Sequence, residues 1–261
     1  MSEAVPVHHE VEGPPDAPAL VMGGSLGTTL AMWSPQLPLA DATRLIRFDH
    51  RGHGESPVPE GPYEVADLGG DVLALLDRLG LERTSYCGLS IGGMVGQWLA
   101  INAPQRIERL ILICTAAHLP PAAAWHDRAA AVRSAGTPEV IADAVIGRWF
   151  TPAFTAANPG LVARYRAMIV ATPAEGYAGC CEAVAGLDVR EGLAEIAAPT
   201  LIIAGAQDPS IPPAHVRAIA AAVPGARFEL LDPGAHLTSV ERAAEVTNLI
   251  AAHLFTNEGG S

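Results

Sequence analysis

The chain has 261 residues, 49% of them hydrophobic, enough for one large α/β core with a modest insertion. A formal net charge of −12 argues against nucleic acid or an anionic membrane as partner. The longest apolar run, near Leu110–Ala117, is far shorter than the roughly 18–20 residues of a membrane span. Residues 1–18 carry Glu3, Glu10, Glu12 and Asp16 among prolines instead of a leader pattern, so a soluble, cytoplasmic protein is expected.

Charge is unevenly spread. Residues 118–190 hold six acids and six arginines, so the acidic excess lies wholly outside them. Every basic residue is arginine. Cys87, Cys114, Cys180 and Cys181 form no C-x-x-C pair and stand near no His at metal-ligand spacing; reduced thiols acting as small apolar residues are expected.

Taken in order, residues 4–9 and 18–22 read as short strands joined at Gly13-Pro14-Pro15-Asp16. Residues 23–29 then form a glycine-rich loop. Its backbone can approach a ligand closely and offer an amide to a developing oxyanion, although taken alone the loop reads more simply as a plain connection. Thr43–Phe48 is the next strand, followed by Asp49-His50-Arg51-Gly52-His53-Gly54-Glu55-Ser56. Two histidines and one acid make no complete metal set, so a hydrogen-bonded structural loop is expected. Residues 63–79 place Val65, Leu68, Val72, Leu75, Leu76 and Leu79 at helical spacing before Gly80.

Thr84–Leu89 is strand-like and runs into Gly88-Leu89-Ser90-Ile91-Gly92, after which a helical pattern opens. A serine hydroxyl is a poor nucleophile, and a sharp strand-to-helix turn holds one exposed above the helix N-terminus. The plainer reading of the same five residues is a turn whose serine caps the helix. Residues 109–114 form a continuous apolar strand, as in a parallel sheet covered on both faces.

Strand signals then stop. Helical segments near 122–135, 137–150, 159–171 and 175–186 are parted by prolines, which predicts a helical cap over 118–190 inserted into a core of 1–117 and 191–261. The sheet resumes at 199–204, whose following loop carries Asp208; a helix covers 212–223, a last strand 226–231, and the next loop carries His236. A helix over 239–254 and a frayed polar tail close the chain. The alternation predicts a doubly wound, mostly parallel sheet. Ser90, Asp208 and His236 then stand at the carboxyl ends of separate strands, as nucleophile, orienting acid and general base of an acyl transfer. Taken singly, Asp208 also reads as a helix cap and His236 as an ordinary loop residue.

These segments resemble the α/β-hydrolase fold. The resemblance narrows to the 3-oxoadipate enol-lactonases, enzymes of aromatic catabolism by the β-ketoadipate pathway, through residues 25–33, 148–154, 172–181, 207–209 and 234–237. It implies a Ser90-Asp208-His236 triad, oxyanion donors at the backbone of Leu26 and Ile91, no metal or cofactor, and a small anionic lactone as substrate. The family often has Asn before its Ser-Leu-Gly run, where this chain has Gly24. A carboxylesterase or a cofactor-free perhydrolase shares the same fold and triad, and a ligand-binding receptor on this fold is the non-enzymatic alternative. Dehalogenation is disfavoured because its nucleophile is Asp where Ser90 stands. Ser25, Trp125, Arg128 and Arg133 are candidates for substrate binding. Arg128 lies one turn after Trp125, placed to grip a carboxylate while the indole walls the ring. The bland alternative is a surface Arg128 paired with Asp127 or Glu139.

Overall fold

The computed structural model describes residues 2–255. Its strands are β1 (His9–Glu12), β2 (Ala19–Gly23), β3 (Arg44–Phe48), β4 (Thr84–Leu89), β5 (Ile107–Ile113), β6 (Thr200–Gly205) and β7 (Arg227–Leu231). They form one sheet in the order β1-β3-β2-β4-β5-β6-β7. The β1–β3 pair is antiparallel and all the other pairs are parallel. Every residue of β4 and β6 is buried, as a strand covered by helices on both faces requires. Chain direction across the sheet reverses between β2 and β4, and the loops leaving their carboxyl ends open a crevice there.

Helices α1 (Val65–Arg78) and α2 (Ile91–Asn102) join successive strands of the core. Between β5 and β6 lie α3 (Ala122–Ala135), α4 (Glu139–Trp149), α5 (Pro152–Ala157), α6 (Pro159–Ala171) and α7 (Ala174–Ala185). The helical segment leaves and re-enters the core through one narrow neck, where His118 bridges Asp188 and the Val189 amide donates to the Ala117 carbonyl at 3.0 Å. Its α7 lies against the core so closely that a Cβ on Gly176 would collide with the backbone of Gly52. Helices α8 (Pro213–Ala222), α9 (Thr238–Glu241) and α10 (Ala243–Phe255) complete the chain. Among the described residues, no helix is long and apolar enough to cross a membrane.

Three local expectations change. The first strand is not 4–9 but His9–Glu12, because the upstream amides are taken by side chains: Val5 donates to Asp71 Oδ1 at 2.7 Å and His8 to Ser56 Oγ at 2.9 Å. Helix α5 had no counterpart in the periodicity, since six residues are too few to display one; Thr151 caps it by accepting from the Phe154 amide. The last helix is broken at Arg242 (φ −119°, ψ 43°), where the Arg242 guanidinium donates to the Pro233 carbonyl at 2.7 Å. The tail expected to fray, beyond Phe255, lies outside the described residues.

Candidate active site

Ser90 joins β4 to α2 with φ 57° and ψ −117°, a conformation that a non-glycine residue adopts at a cost of about 1–3 kcal/mol. The surroundings enforce it. Its amide donates to the Ile113 carbonyl at 3.0 Å, and its carbonyl accepts from the Met94 amide at 3.0 Å and the Thr115 hydroxyl at 2.8 Å. A Cβ on Gly88 or Gly92 would overlap backbone atoms, of Gly92 in the first case and of Gly23 in the second, so the turn closes only with glycine at both places. The Ser90 side chain makes no capping bond to α2, which rules out the plainer reading of the motif.

The loop after β2 is pinned against this turn. The Gly24 carbonyl accepts from the Gly92 amide and from His50 Nε2, both at 3.1 Å. His53 Nε2 accepts from the Gly27 amide at 2.9 Å, so Nδ1 carries the proton and donates to the Arg51 carbonyl. Both histidines are therefore the structural residues expected, and burial lowers the pKa of each, to about 3 for His50, which also feels His53. The Cβ position of Gly24 lies 2.8 Å from Thr28 Oγ1 and 2.9 Å from Met32 Sδ. Met32 fills the space a longer residue 24 would occupy. All four cysteines are buried and free, in keeping with small apolar residues.

On the other side of the crevice, His236 Nδ1 lies 2.7 Å from Asp208 Oδ2. The other carboxylate oxygen of Asp208 accepts from the Ser210 and Ile211 amides at 2.8 and 3.0 Å, which fixes the carboxylate and leaves Oδ2 for the imidazole. Nδ1–H is thus the donor, and Nε2 is left as an acceptor. The His236 loop is buttressed in turn: the Leu237 amide donates to the Trp149 carbonyl at 2.9 Å. Glu241 accepts from the Ala235 amide at 3.0 Å and also from the Thr151 hydroxyl, tying the loop to the segment after α4.

Ser90 and His236 open onto one pocket of about 120 Å³. Ser25, Leu26 and Ile91 line it from the core; Trp125, Arg128, Arg148, Trp149 and Tyr177 line it from the helices above. Asp208 lies behind His236, outside the lining. Trp125 is held by its Nε1–H donating to the Leu119 carbonyl at 3.2 Å, and the Arg128 guanidinium stacks 4.6 Å from the Trp125 ring centroid. The predicted Trp125–Arg128 face is therefore real. Among the described residues Arg128 forms no ion pair with Asp127 or Glu139, and Glu139 is taken by Arg166 instead.

Arg133 is elsewhere. Its guanidinium is gripped by Glu175 and Glu182 of α7, with Nε 2.8 Å from Glu175 Oε2, so two carboxylates already occupy the fork that a substrate would need. Arg148, Trp149 and Tyr177, which also line the pocket, lie in the segments 148–154 and 172–181 without being among the candidate side chains. The only signal in the sequence was the place of Arg148 at the head of the segment 148–154; its link through Trp149 to the His236 loop is made by tertiary packing.

Residues 18–243 match the family described as alpha/beta hydrolase fold. The chain is 41% identical over 253 residues to 3-oxoadipate enol-lactonase 2 of Acinetobacter baylyi, covering 96% of this chain and 94% of that one. It is 32% identical over 257 residues to a protein named RutD from Stutzerimonas stutzeri, covering 95% and 96%. The crystal structure of the enol-lactonase from Burkholderia xenovorans LB400 superposes with a TM-score of 0.93 at 40% identity, covering 96% of both chains. A strained serine turn at the switch point of a mostly parallel sheet, together with kinship along nearly the whole length, makes the chain a hydrolase of the α/β-hydrolase family, similar throughout to the 3-oxoadipate enol-lactonases.

Proposed function

We propose that this hydrolase opens 3-oxoadipate enol-lactone to 3-oxoadipate by acyl transfer through Ser90. The observation that carries the reading is one pocket lined by Ser90, His236, Leu26 and Ile91, with Asp208 bonded to the far side of the imidazole. Ser90 Oγ attacks the lactone carbonyl while His236 Nε2 takes its proton, and the amides of Leu26 and Ile91 hold the oxyanion. Asp208 orients the imidazole and stabilises its charged form without taking the proton. Collapse expels the ring oxygen as an enol, protonated from His236. That enol becomes the ketone, which makes return to the lactone unfavourable. Water, activated by His236, then releases the acyl group.

The substrate is an anion, and the chain as a whole repels anions. Arg128, backed by Trp125, receives the acetate carboxylate, and Ser25 borders the ring from the core side. Residues 118–190 serve as the cap that excludes water, and residues 1–117 with 191–261 as the catalytic core. On this reading the reaction belongs to the β-ketoadipate route of aromatic catabolism and runs in the cytoplasm, a reading supported by the likeness to the 3-oxoadipate enol-lactonases.

The test is turnover of purified protein on enol-lactone beside a neutral aryl ester, with Ser90→Ala as control. Wild type should prefer the lactone in kcat/KM, and Ser90→Ala should keep its melting curve while kcat falls by roughly 10³-fold or more. Near-native kcat in a homogeneous Ser90→Ala preparation would overturn the mechanism. A higher kcat/KM on the aryl ester would replace the lactonase with a broad carboxylesterase, and very slow turnover of every substrate would replace the enzyme with a ligand-binding protein.

A further inference from the structure

We infer that Arg148 is a second specificity-determining residue, which closes with Arg128 on a single carboxylate of the ligand as a two-arginine clamp above Ser90. The inference rests on the anionic-substrate reading above. Arg128 projects from α3 and Arg148 from α4, and both line the pocket that contains Ser90 and His236. Both are half-buried. Among the described residues, neither has a carboxylate within ion-pairing distance, whereas Arg133 and Arg166 of the same helical segment each have two and Arg190 has one.

Two guanidinium groups facing one small pocket without a counter-ion are held there against their mutual repulsion. Burial and the field of Arg128 accordingly lower the Arg148 pKa from its ordinary value. The buried Tyr177 shares the pocket wall with both, but its hydroxyl is neutral, its pKa raised by burial, and supplies no balancing charge. An anion seated between the two removes the repulsion and receives two planar forks, a geometry suited to a carboxylate. The pocket, about 120 Å³ and walled by Trp125 and Trp149, limits the ligand to a small carboxylic acid.

Position gives the clamp a catalytic consequence. Arg148 immediately precedes Trp149, whose carbonyl accepts the amide of Leu237, the residue after His236. A carboxylate held at Arg148 is thereby referenced to the backbone that seats the general base, which sets where the scissile carbonyl lies relative to Ser90.

The experiment compares wild type, Arg148→Ala, Arg148→Lys, Arg128→Ala and the double variant on enol-lactone and on a neutral aryl acetate, each with a melting curve. In parallel, adipate, the analogue of the ring-opened product without its keto group, is titrated calorimetrically into Ser90→Ala protein with and without Arg148→Ala. Arg148→Ala should lower kcat/KM on the anionic lactone about ten- to a hundredfold, the scale of hydrogen bonds to a charged group, and by at least tenfold more than on the aryl acetate. Arg148→Lys, which keeps the stem and the charge but not the fork, should restore only part of the selectivity. The double variant should lose less than the product of the single losses, because both residues act on one carboxylate. Adipate affinity should fall about tenfold or more with Arg148→Ala. Equal losses on both substrates, or an unchanged adipate affinity, would overturn the clamp. If wild type turns over the lactone while Arg148→Ala keeps full anion selectivity, the clamp fails and the lactonase reading stands. If wild type does not open the lactone yet adipate binding still needs Arg148, the clamp stands and that substrate falls.

Discussion

Replacing Asp208 by Asn isolates the orienting role assigned to the carboxylate. Asp208 Oδ1 accepts two backbone amides, of Ser210 and Ile211, and Oδ2 accepts His236 Nδ1–H. An amide has a single acceptor oxygen, which must choose a side. Turned toward His236, it leaves the NH₂ group facing two amide donors and strands both of them, at about 1–3 kcal/mol each in a buried site. Turned toward the backbone, it keeps those two bonds and presents NH₂ to Nδ1, which must then act as acceptor. The second arrangement wins by roughly 2–6 kcal/mol. It moves the imidazole proton to Nε2, where a base for Ser90 needs a lone pair. The working tautomer is then populated at roughly 10⁻² to 10⁻⁴, so kcat should fall about 10²- to 10⁴-fold, the upper end matching the same change in serine proteases. Because the hydrogen-bond count is preserved, the melting temperature should move by no more than about 3 °C. Stopped-flow or steady-state hydrolysis beside thermal melting checks both expectations. A well-folded Asp208→Asn with kcat within tenfold of wild type would refute the reasoning and move the orienting role to another group.

Gly92→Ala sets a Cβ against the Gly23 carbonyl oxygen and opposes the Gly92-to-Gly24 bond, so urea unfolding should show a loss of about 1–3 kcal/mol together with reduced kcat; an unchanged midpoint would mean the turn has slack. His50 is buried and neutral with its pKa lowered to about 3, so the unfolded chain binds its proton first and the stability it contributes is complete above the ordinary value of 6.5 and drains as pH falls toward 3. Between pH 7 and pH 5 wild type should therefore lose about 2 kcal/mol more than His50→Gln in urea titrations, and parallel losses would contradict the assignment. Glu241→Ala frees the Ala235 amide and Thr151, and should lower kcat more than it raises KM, with Glu241→Gln recovering part of the loss; a change in KM alone would argue that the His236 loop does not depend on this bridge.

Much of this molecule was determined within short stretches of chain. The alternation of strand and helix patterns, the glycines around Ser90, and the loops carrying Asp208 and His236 follow from local periodicity and turn chemistry, and α3 and α6 span the residues their patterns predict, Ala122–Ala135 and Pro159–Ala171. The strand before Ala19 and the break at Arg242 were not legible, because the competing partners, Asp71, Ser56 and the Pro233 carbonyl, come from other segments. The choice among arginines shows the division most sharply. Arg128 and Arg133 share α3, and five residues at about 100° each put them some 140° apart, so the helix cannot offer both to one pocket. Nothing in the sequence of α3 says which faces inward. Glu175 and Glu182, two turns apart on one face of α7, take Arg133 and thereby commit Arg128 to the pocket, where Arg148 arrives from a different helix. Periodicity decides which residues share a face of a helix; only the packing of helix against helix decides what that face meets.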